Sequence, residues 1–260
     1  MKLLMCRPDY YGIQYEINPW MHIQKKVNHT SAVKQWNLLY QTILSCNAEV
    51  LLIPPEANWP DMVFTANAGL YYQKKIVLSH FKYKERQGET TYFQNWFTEA
   101  GLEVIATPNL LFEGAGDALL VGNLLFAGFG FRSEKSFYEQ ATYFDHNKLI
   151  YCELTNPYFY HLDTCFCPLD DKSAIWFPSA FTKVSQEKMS SSVELIAVEE
   201  NEAKSFACNA IVLNNHIILP AGCPHITDVL EKRGFIVHSC EMNEFLKAGG
   251  ACKCLTLRID

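Results

Sequence analysis

A strand–turn–strand pattern occupies residues 67–78, which read NAGLYY, QKK and IVL in succession. Two short apolar runs flank three polar residues, and this arrangement is the expected signal of a β-hairpin. A similar pattern returns in residues 117–127, 161–177 and 209–219. The sequence therefore predicts four hairpins that follow one another along the chain.

Single apolar strands are predicted before, between and after these hairpins. They lie about 40 to 50 residues apart, a spacing that is typical of repeat architectures, and they occupy residues 50–53, 102–105, 148–151, 193–196 and 235–238. Each unit is interpreted as one such strand, then a hairpin, then a helix. The last apolar run, residues 251–259, is predicted to pair with residues 2–6 and to close the units into a ring.

Helical patterns fit between the units. Apolar residues recur near helical spacing in residues 31–46, 83–99, 133–144, 183–190 and 224–232. Gly101 and Gly234 stand where the C-caps of two of these helices are expected. The pattern predicts an α/β fold, a five-bladed pseudosymmetric α/β propeller, and the lack of a Pro/Gly/Ser-rich linker predicts one domain over residues 1–260.

Composition and charge narrow the class of function. The chain has 260 residues, 49% of them hydrophobic, and a formal net charge of -6. Nucleic-acid-binding proteins usually carry a basic face, and anionic membranes attract basic ones, so both partners are disfavoured. The mild negative field suits a small cationic substrate.

The N-terminal sequence and the cysteines bear on location. The first apolar run is too short for a signal peptide, and no window approaches the roughly 18 apolar residues of a membrane span. The chain is therefore expected in the cytoplasm, where its ten cysteines would remain thiols.

Polar residues that can take part in catalysis or binding lie at the ends of the first strands and at the starts of the hairpins. These positions converge on one face of a ring of repeats, so the residues form a candidate site. They are Asp61, Asn67, Glu113, Asp117, His161 and Asp163, with Cys254 in the last strand run.

This set of residues fits covalent catalysis on a flat cation. A cysteine attacks as its thiolate, and a histidine such as His161 is the natural proton shuttle. Glu113 could orient the imidazole as the third member of a triad. The remaining carboxylates need a cationic partner, and a planar guanidinium matches a cluster of them well.

Each residue also has a simpler interpretation. Cys254 alone is more often a core thiol, and the segment that holds Glu113 and Asp117 reads as a polar turn. Arg86 and Arg132 are by default solvated charges. The pairs Cys165/Cys167 and Cys252/Cys254 raise the question of zinc, but structural zinc sites favour wider spacing, so no metal is predicted.

Four motifs occur in order and carry a family resemblance. They are PDMVFTANAG at residues 60–69, FEGAGD at 112–117, HLD at 161–163 and GGACKCLT at 249–256. Together they resemble the guanidine-modifying superfamily, which includes arginine deiminases, amidinotransferases and dimethylarginine dimethylaminohydrolases. The similarity runs from residue 6 to the C-terminus, and the order and spacing of the motifs make it specific.

The resemblance implies a fold and a set of roles. The family fold is the five-fold α/β propeller, or pentein, and the family needs no cofactor. Cys254 resembles the nucleophile, His161 the general acid/base and Glu113 the acid that supports it. Substrate-binding roles are implied for Asp163 at the guanidinium, Arg86 and Arg132 at the substrate carboxylate, Asn18 at the rim of the site, and Asp61 and Asp117 at unassigned contacts.

Two positions depart from the family pattern. Ala251 stands where the cysteine motif usually has a third glycine, which is a small change. Asn67 stands where deiminases and dimethylarginine hydrolases have an aspartate that binds the guanidinium. An asparagine there resembles the dihydrolases of arginine and succinylarginine, and residues 17–21 (INPWM) resemble the arginine dihydrolase type.

The sequence thus predicts a cysteine-dependent hydrolase of a guanidino substrate. An arginine dihydrolase that yields ornithine, ammonia and carbon dioxide is favoured over an arginine deiminase or dimethylarginine dimethylaminohydrolase that yields citrulline. The sequence also leaves open amidino transfer, a non-catalytic binding module of the same fold and a zinc-binding module. A small molecule is the expected partner, and a homo-oligomer is left open.

Overall fold

The structure, a computed structural model, describes residues 1–105, 107, 109–141, 144 and 147–260. The strands of these residues form five three-stranded sheets with the orders β15-β1-β2, β3-β4-β5, β6-β7-β8, β11-β10-β9 and β12-β13-β14. The strands are β1 Lys2–Cys6, β2 Glu49–Ile53, β3 Gly69–Tyr72, β4 Lys75–Leu78, β5 Glu103–Ile105, β6 Ala118–Val121, β7 Leu124–Phe129, β8 Lys148–Glu153, β9 Phe166–Pro168, β10 Ser173–Trp176, β11 Glu194–Ala197, β12 Ile211–Leu213, β13 His216–Pro220, β14 Ile236–Cys240 and β15 Leu257–Arg258.

All five sheets have the same connectivity. The middle strand of each sheet pairs antiparallel with one neighbour and parallel with the other. A parallel pair needs a crossover connection, and a helix commonly provides it. The four predicted hairpins are confirmed, and so is the pairing of the N-terminal strand with the last one, in which Leu3 lies opposite Arg258.

The boundaries of the repeat differ from the prediction. The single strand predicted to open each unit completes the preceding hairpin instead, as β5 does by pairing parallel with β4. The structural unit is therefore a hairpin, a helical crossover and a parallel strand.

The described helices are α1 His29–Ser45, α2 Lys84–Gln87, α3 Glu89–Glu99, α4 Lys135–Gln140, α5 Lys183–Ser190, α6 Glu200–Lys204, α7 Pro224–Lys232 and α8 Asn243–Leu246. The sequence did not predict the short helices α6 and α8. Residues 142 and 143, at the end of the predicted helix 133–144, lie outside the described residues. None of the helices in the described part of the chain has the length and apolar character that a membrane span requires.

Glycines end or interrupt several helices. Gly101 and Gly234 follow the C-caps of α3 and α7 with φ angles of 78° and 90°, so both predicted caps are confirmed. The predicted helix 83–99 breaks at Gly88, between α2 and α3. A Cβ atom at Gly88 would overlap the ring of Trp59, so no larger residue fits there without rearrangement.

Helix α1 illustrates how the helices attach to the sheets. Asn28 caps its N-terminus, where the Asn28 side chain accepts a hydrogen bond from the Ser31 amide. Trp36, Leu39 and Ile43 follow at helical spacing, are buried, and pack in one cluster with buried residues of β1. Burial of this stripe stabilises the helix far more than its intrinsic propensity does.

Two predicted strands are shorter than expected, and the difference matters for the site. Residues 161–165 and 251–256 are not strand, because 3₁₀ turns Leu162–Thr164 and Lys253–Leu255 precede β9 and β15. Similar turns, Thr65–Ala68 and Gly114–Gly116, precede β3 and β6. Neighbouring turns contact one another, so side chains on different sheets meet there.

Gly114→Ala is expected to lower the free energy of unfolding by about 3 kcal/mol or more. Gly114 has a φ of 59°, and an added Cβ would lie 2.5 Å from the carbonyl oxygen of Gly69 in the neighbouring sheet. Gly101→Ala is the matched control, since its φ is also positive but nothing lies within 4 Å of the added Cβ. The control should lose only about 1 to 2 kcal/mol. Urea unfolding of both variants measures this, and equal losses would contradict the close contact between the two turns.

Candidate active site

A narrow cavity brings together seven of the ten predicted site residues. The predicted residues on its wall are Asn18, Asp61, Asn67, Arg86, Arg132, His161 and Cys254. Glu113, Asp117 and Asp163 are buried behind this wall. The convergence predicted from the repeat therefore occurs for residues from widely separated parts of the chain.

Cys254 is held by Asn209, a residue that the sequence analysis did not select. The Asn209 side-chain nitrogen donates to Cys254 Sγ at 3.0 Å, and its oxygen accepts from the Cys254 amide at 3.1 Å. An oxygen of Asp163 lies 3.6 Å from the sulfur. Burial raises the pKa of the Cys254 thiol well above its ordinary value, and the charge of Asp163 raises it further.

Glu113 lies between His161 and Arg132 in a buried chain of contacts. Glu113 Oε2 accepts from Arg132 Nη1 at 3.0 Å and lies 2.7 Å from His161 Nε2. Burial alone would raise the pKa of Glu113, but Arg132 and His161 outweigh burial and hold this pKa well below its usual range. Glu113 is therefore a carboxylate at neutral pH, and it orients the imidazole beside the cavity.

Arg132 is fixed on several sides. Its guanidinium lies between the rings of Tyr83 and Tyr160, with centroid distances of 4.7 and 4.6 Å. Its Nη2 donates to the carbonyl oxygen of Ile17 at 3.0 Å. These contacts hold the Arg132 guanidinium at the wall of the cavity and leave some of its N–H donors unused by the described residues.

Arg86 is paired with an acid beneath the cavity. It makes two parallel hydrogen bonds to Glu89, of 2.9 and 2.8 Å, and both side chains are buried. Its Nη1 donates to Asn67 Oδ1 at 2.9 Å. Because the Asn67 oxygen accepts from Arg86, the Asn67 nitrogen is the amide atom left without a partner among the described residues.

The Asn67 nitrogen is buried and has no hydrogen-bond partner among the described residues. A buried polar group without a partner is costly, so this nitrogen requires an acceptor. Space beside this nitrogen is tight, since a Cβ on Gly116 would overlap it. The Asn67 nitrogen is thus a buried hydrogen-bond donor without an acceptor among the described residues.

The two buried aspartates near Cys254 and Asn67 differ in their surroundings. Asp61 accepts from the hydroxyl of Tyr15 at 3.0 Å, and burial raises its pKa despite the nearby charge of Arg86. Burial raises the pKa of Asp163 to about 6, although Lys253 opposes this shift. Both carboxyl groups would gain from a cation in the cavity.

Asp117 lies off the cavity wall and is already saturated with partners. One of its oxygens accepts from the hydroxyl and the amide of Ser133, at 2.6 and 3.2 Å, and the other accepts from the Leu162 amide at 3.1 Å. Asp117 is therefore not among the residues that line the cavity. Asp117 instead fixes the backbone beside His161 and Arg132.

Loops from the two ends of the chain cover the cavity. Asn18 Nδ2 donates to the carbonyl oxygen of Ala248 at 3.0 Å, and the Tyr160 hydroxyl donates to that of Gly249 at 2.7 Å. Gly249 has a φ of 78°, and a Cβ there would lie 2.9 Å from both Trp20 and Tyr160. Asn18 thus lines the cavity and joins the two covering loops.

Sequence reasoning missed several residues that support this site. The clearest are Asn209 at Cys254, Tyr15 at Asp61, Glu89 at Arg86 and Tyr160 at Arg132. Only Asn209 had a usable signal, because it precedes a hairpin strand in the same position as Asn67 and Asp117. The other three contacts depend on the tertiary fold.

Comparison with known proteins gives the family. The family model for eukaryotic N,N dimethylarginine dimethylhydrolases matches residues 7–260. The chain is 46% identical over its full length to the bifunctional arginine dihydrolase/ornithine cyclodeaminase ArgZ of Synechocystis, of which it covers 38%. It is 34% identical to the N(G),N(G)-dimethylarginine dimethylaminohydrolase of Mycobacterium tuberculosis, over 98% of this chain and 84% of that protein.

A solved structure is also similar over the whole chain. It is the N-terminal domain of ArgZ, in an asparagine-to-serine variant covalently bound to a reaction intermediate. The TM-score is 0.95 at 45% identity, with 100% of this chain and 97% of that chain covered. The chain spans about two fifths of the length of the bifunctional curated relatives that it matches.

Asp163→Asn is expected to make the protein more stable than the wild type above about pH 6. The folded pKa of about 6 exceeds the ordinary value of 3.8, so the stability that the protonated carboxyl contributes is complete below about pH 4 and is lost as the pH rises through about 6. Two pKa units correspond to at most about 3 kcal/mol. The side chain of the asparagine variant stays neutral at every pH, so the variant does not lose this stability as the pH rises.

Urea unfolding between about pH 4 and pH 7.5 measures the difference. Asp171→Asn, in the exposed turn between β9 and β10, is the matched control and should show no such trend. A stability difference between Asp163→Asn and wild type that is constant with pH would show that Asp163 is not held near this raised pKa.

Proposed function

The chain belongs to the N,N dimethylarginine dimethylhydrolase family, and on that premise we propose that it is a cysteine-dependent hydrolase of the guanidinium group of arginine. The observation that carries this proposal is the shared cavity. Cys254 and His161 line it together with Arg132, while Glu113 holds His161 from behind. The favoured reaction is that of an arginine dihydrolase, which takes arginine and two waters to ornithine, two ammonia and carbon dioxide.

We further propose that the five sheets form the pseudosymmetric five-fold α/β propeller of one domain, the pentein fold. The identical connectivity of the sheets and the sheet shared by β1 and β15 support this arrangement. The turns Thr65–Ala68, Gly114–Gly116, Leu162–Thr164 and Lys253–Leu255 would then meet near its axis. Contacts between these turns agree with that placement.

The proposed pose places the two ends of arginine on opposite charges. The guanidinium lies against Cys254, where Asp163 compensates its charge. The carboxylate lies toward Arg132, whose guanidinium has donors beyond those used by Glu113 and Ile17. Asp61, a buried carboxyl on the cavity wall, faces the remaining positive charge of the substrate. Arg86 is already bonded to Glu89, so its main task is to orient Asn67.

Binding of the cation activates the nucleophile. In the free protein, burial and Asp163 favour the neutral thiol of Cys254. A guanidinium beside the sulfur and the carboxylate supplies the missing positive charge, so it lowers the thiol pKa in the complex. The thiolate therefore forms where the substrate is already in place.

The first round replaces one nitrogen of the guanidinium by oxygen. Cys254 Sγ adds to the guanidinium carbon, and His161 gives a proton to the nitrogen that leaves as ammonia. A covalent thiouronium remains on the sulfur. His161 then takes a proton from a water that attacks the same carbon, and the carbon–sulfur bond breaks to release the ureido group of citrulline.

The second round repeats this chemistry on the ureido group. Sulfur adds to the ureido carbon, a second ammonia leaves, and water releases a carbamate that separates into ornithine and carbon dioxide. A dihydrolase must therefore hold a neutral ureido group as well as a cationic guanidinium.

Asn67 supports the second round for a specific reason. Arg86 fixes the oxygen of the Asn67 side chain, and the Asn67 nitrogen remains a donor without a partner among the described residues. A guanidinium carries only donors, whereas a ureido group has a carbonyl oxygen that accepts. Asn67 can thus bind the product of the first round, while an aspartate at this position would favour the cation and repel the carbonyl oxygen.

A single hydrolytic round is the second candidate. The similarity to the dimethylarginine dimethylaminohydrolase of M. tuberculosis favours it. The products distinguish the two candidates, because one round gives citrulline and two rounds give ornithine.

Incubation with arginine labelled with ¹³C at the guanidinium carbon tests the function. The expected products are unlabelled ornithine, two ammonia and labelled carbon dioxide. Mass spectrometry detects the ornithine and the carbon dioxide, and an ammonia assay gives the number of ammonia molecules released. Cys254→Ser should lower the rate by roughly 10⁴-fold or more, because it removes the nucleophile. Cys252→Ser, a buried thiol two residues away, is the matched control. Citrulline as the end product would replace the dihydrolase by a deiminase, and no turnover of arginine or dimethylarginine would refute the hydrolase.

Asn67→Asp is expected to shift the products from ornithine toward citrulline by about 10- to 100-fold, as the loss of one hydrogen bond to a buried carbonyl would predict. The measurement is the ratio of ornithine to citrulline at early times. Asn123→Asp, in the exposed turn between β6 and β7, is the control of equal charge change. An unchanged ratio would remove Asn67 from the second round while leaving the first round intact.

A further inference from the structure

A second group of chemically active side chains lies outside the candidate active site, where the end of α1 meets β13 and β14. It consists of Cys46, His216 and His238, whose ligand atoms all lie within 4.8 Å of one another. His216 Nδ1 is 2.9 Å from His238 Nε2, and Cys46 Sγ is 3.6 Å from the same nitrogen. The proposed hydrolysis uses none of these residues.

The fold places these three residues together through regular structure. In the parallel pair of β13 and β14, His216 lies opposite Ile236 and Ile218 lies opposite His238. The two histidines are therefore offset by two residues and point to the same face of the sheet. Cys46 caps the C-terminus of α1, which packs on β14. The ligand set is thus held by a helix end and two paired strands.

Two of the three separations between ligand atoms lie near those of a tetrahedral zinc centre. With Zn–S of about 2.3 Å and Zn–N of about 2.0 to 2.1 Å, ligand atoms at tetrahedral angles lie about 3.5 Å apart for sulfur and nitrogen and about 3.3 Å apart for two nitrogens. The sulfur–nitrogen separation of 3.6 Å agrees with this value, and the nitrogen–nitrogen separation of 2.9 Å is slightly short of it. A small outward movement of one half-buried ring would accommodate the ion.

The local electrostatics also suit a cation. Helix α1 has 17 residues, and its last turn carries no basic side chain. The carbonyl groups at a helix C-terminus carry partial negative charge and attract cations. Neither Cys-x-Cys pair of the sequence belongs to this group, which is why a search for adjacent cysteines does not find it.

We propose that Cys46, His216 and His238 bind one borderline-soft transition-metal ion, for which Zn²⁺ is the best match. Two imidazole nitrogens and one thiolate are ligands that zinc prefers, and the half-buried histidines leave the fourth position to water. As the Zn–S bond forms, the Cys46 thiol releases its proton to solvent. The ion ties α1 to the sheet β12-β13-β14, so its effect is on stability and not on the hydrolytic step.

Cobalt titration of the metal-free Cys254→Ser protein tests this site. Co²⁺ reports a thiolate ligand through a charge-transfer band in the near ultraviolet and tetrahedral geometry through visible bands. The Cys254→Ser background removes the thiol of the candidate active site, which could otherwise bind the probe. The expected result is one equivalent of Co²⁺ with both signals, displaced by Zn²⁺, and a thermal midpoint that rises with added Zn²⁺.

Substitutions in this background locate the site. Cys46→Ser should abolish the charge-transfer band, and His216→Gln and His238→Gln should each weaken Co²⁺ binding by at least about 10-fold. Cys6→Ser and His225→Gln are the matched controls and should bind as the parent does. The thermal midpoint without metal shows whether each variant folds. If Cys46→Ser does not fold, the two histidine variants decide the result. Absence of the charge-transfer band in the parent, or equal affinity in the histidine variants, would overturn the proposal.

Discussion

The shared carboxylate of Glu113 is the interaction on which the site depends. It is fully buried, and a buried charge is stable only when partners compensate it. Arg132 and His161 both contact the same oxygen of Glu113. Arg132 in turn reaches the covering loop at Ile17, so one carboxylate links the His161 imidazole, the cationic wall and this loop. Loss of this charge would leave a buried guanidinium and a misdirected imidazole together.

The balance of charge around the cavity explains why a cation fits it. Five buried carboxyl groups, Asp61, Glu89, Glu113, Asp117 and Asp163, surround two buried guanidinium groups. Arg86 and Arg132 compensate Glu89 and Glu113 directly. Asp61, Asp117 and Asp163 are left with raised pKa values because burial is not fully offset. In the proposed pose, a bound guanidinium would offset part of this electrostatic cost, which is already present in the free protein.

The sequence predicted those parts of the structure that depend on local pattern. The hairpins, the parallel strands and the caps at Gly101 and Gly234 follow from apolar spacing and from the freedom of glycine. The 3₁₀ turn that carries Cys254 was predicted as strand, because the buried run around it is apolar in both conformations. The pairing of Arg86 with Glu89 resembles an ordinary surface pair at helical spacing, and only the tertiary fold buries it. Asn209 was detectable from the repeat alone, since it precedes β12 as Asn67 precedes β3.

The pairing of β1 with β15 brings the two ends of the chain into contact. The amino group of Met1 lies 3.3 Å from a carboxylate oxygen of Asp260. A short peptide linker could therefore join residue 260 to residue 1 without disturbing either strand. New termini could then be opened in an exposed turn such as that between β6 and β7, since chain ends are tolerated where few contacts are broken. The order in which the sheets are synthesised is thus separable from the architecture they build, and circular permutants of residues 1–260 should retain the cavity that Cys254 and His161 line.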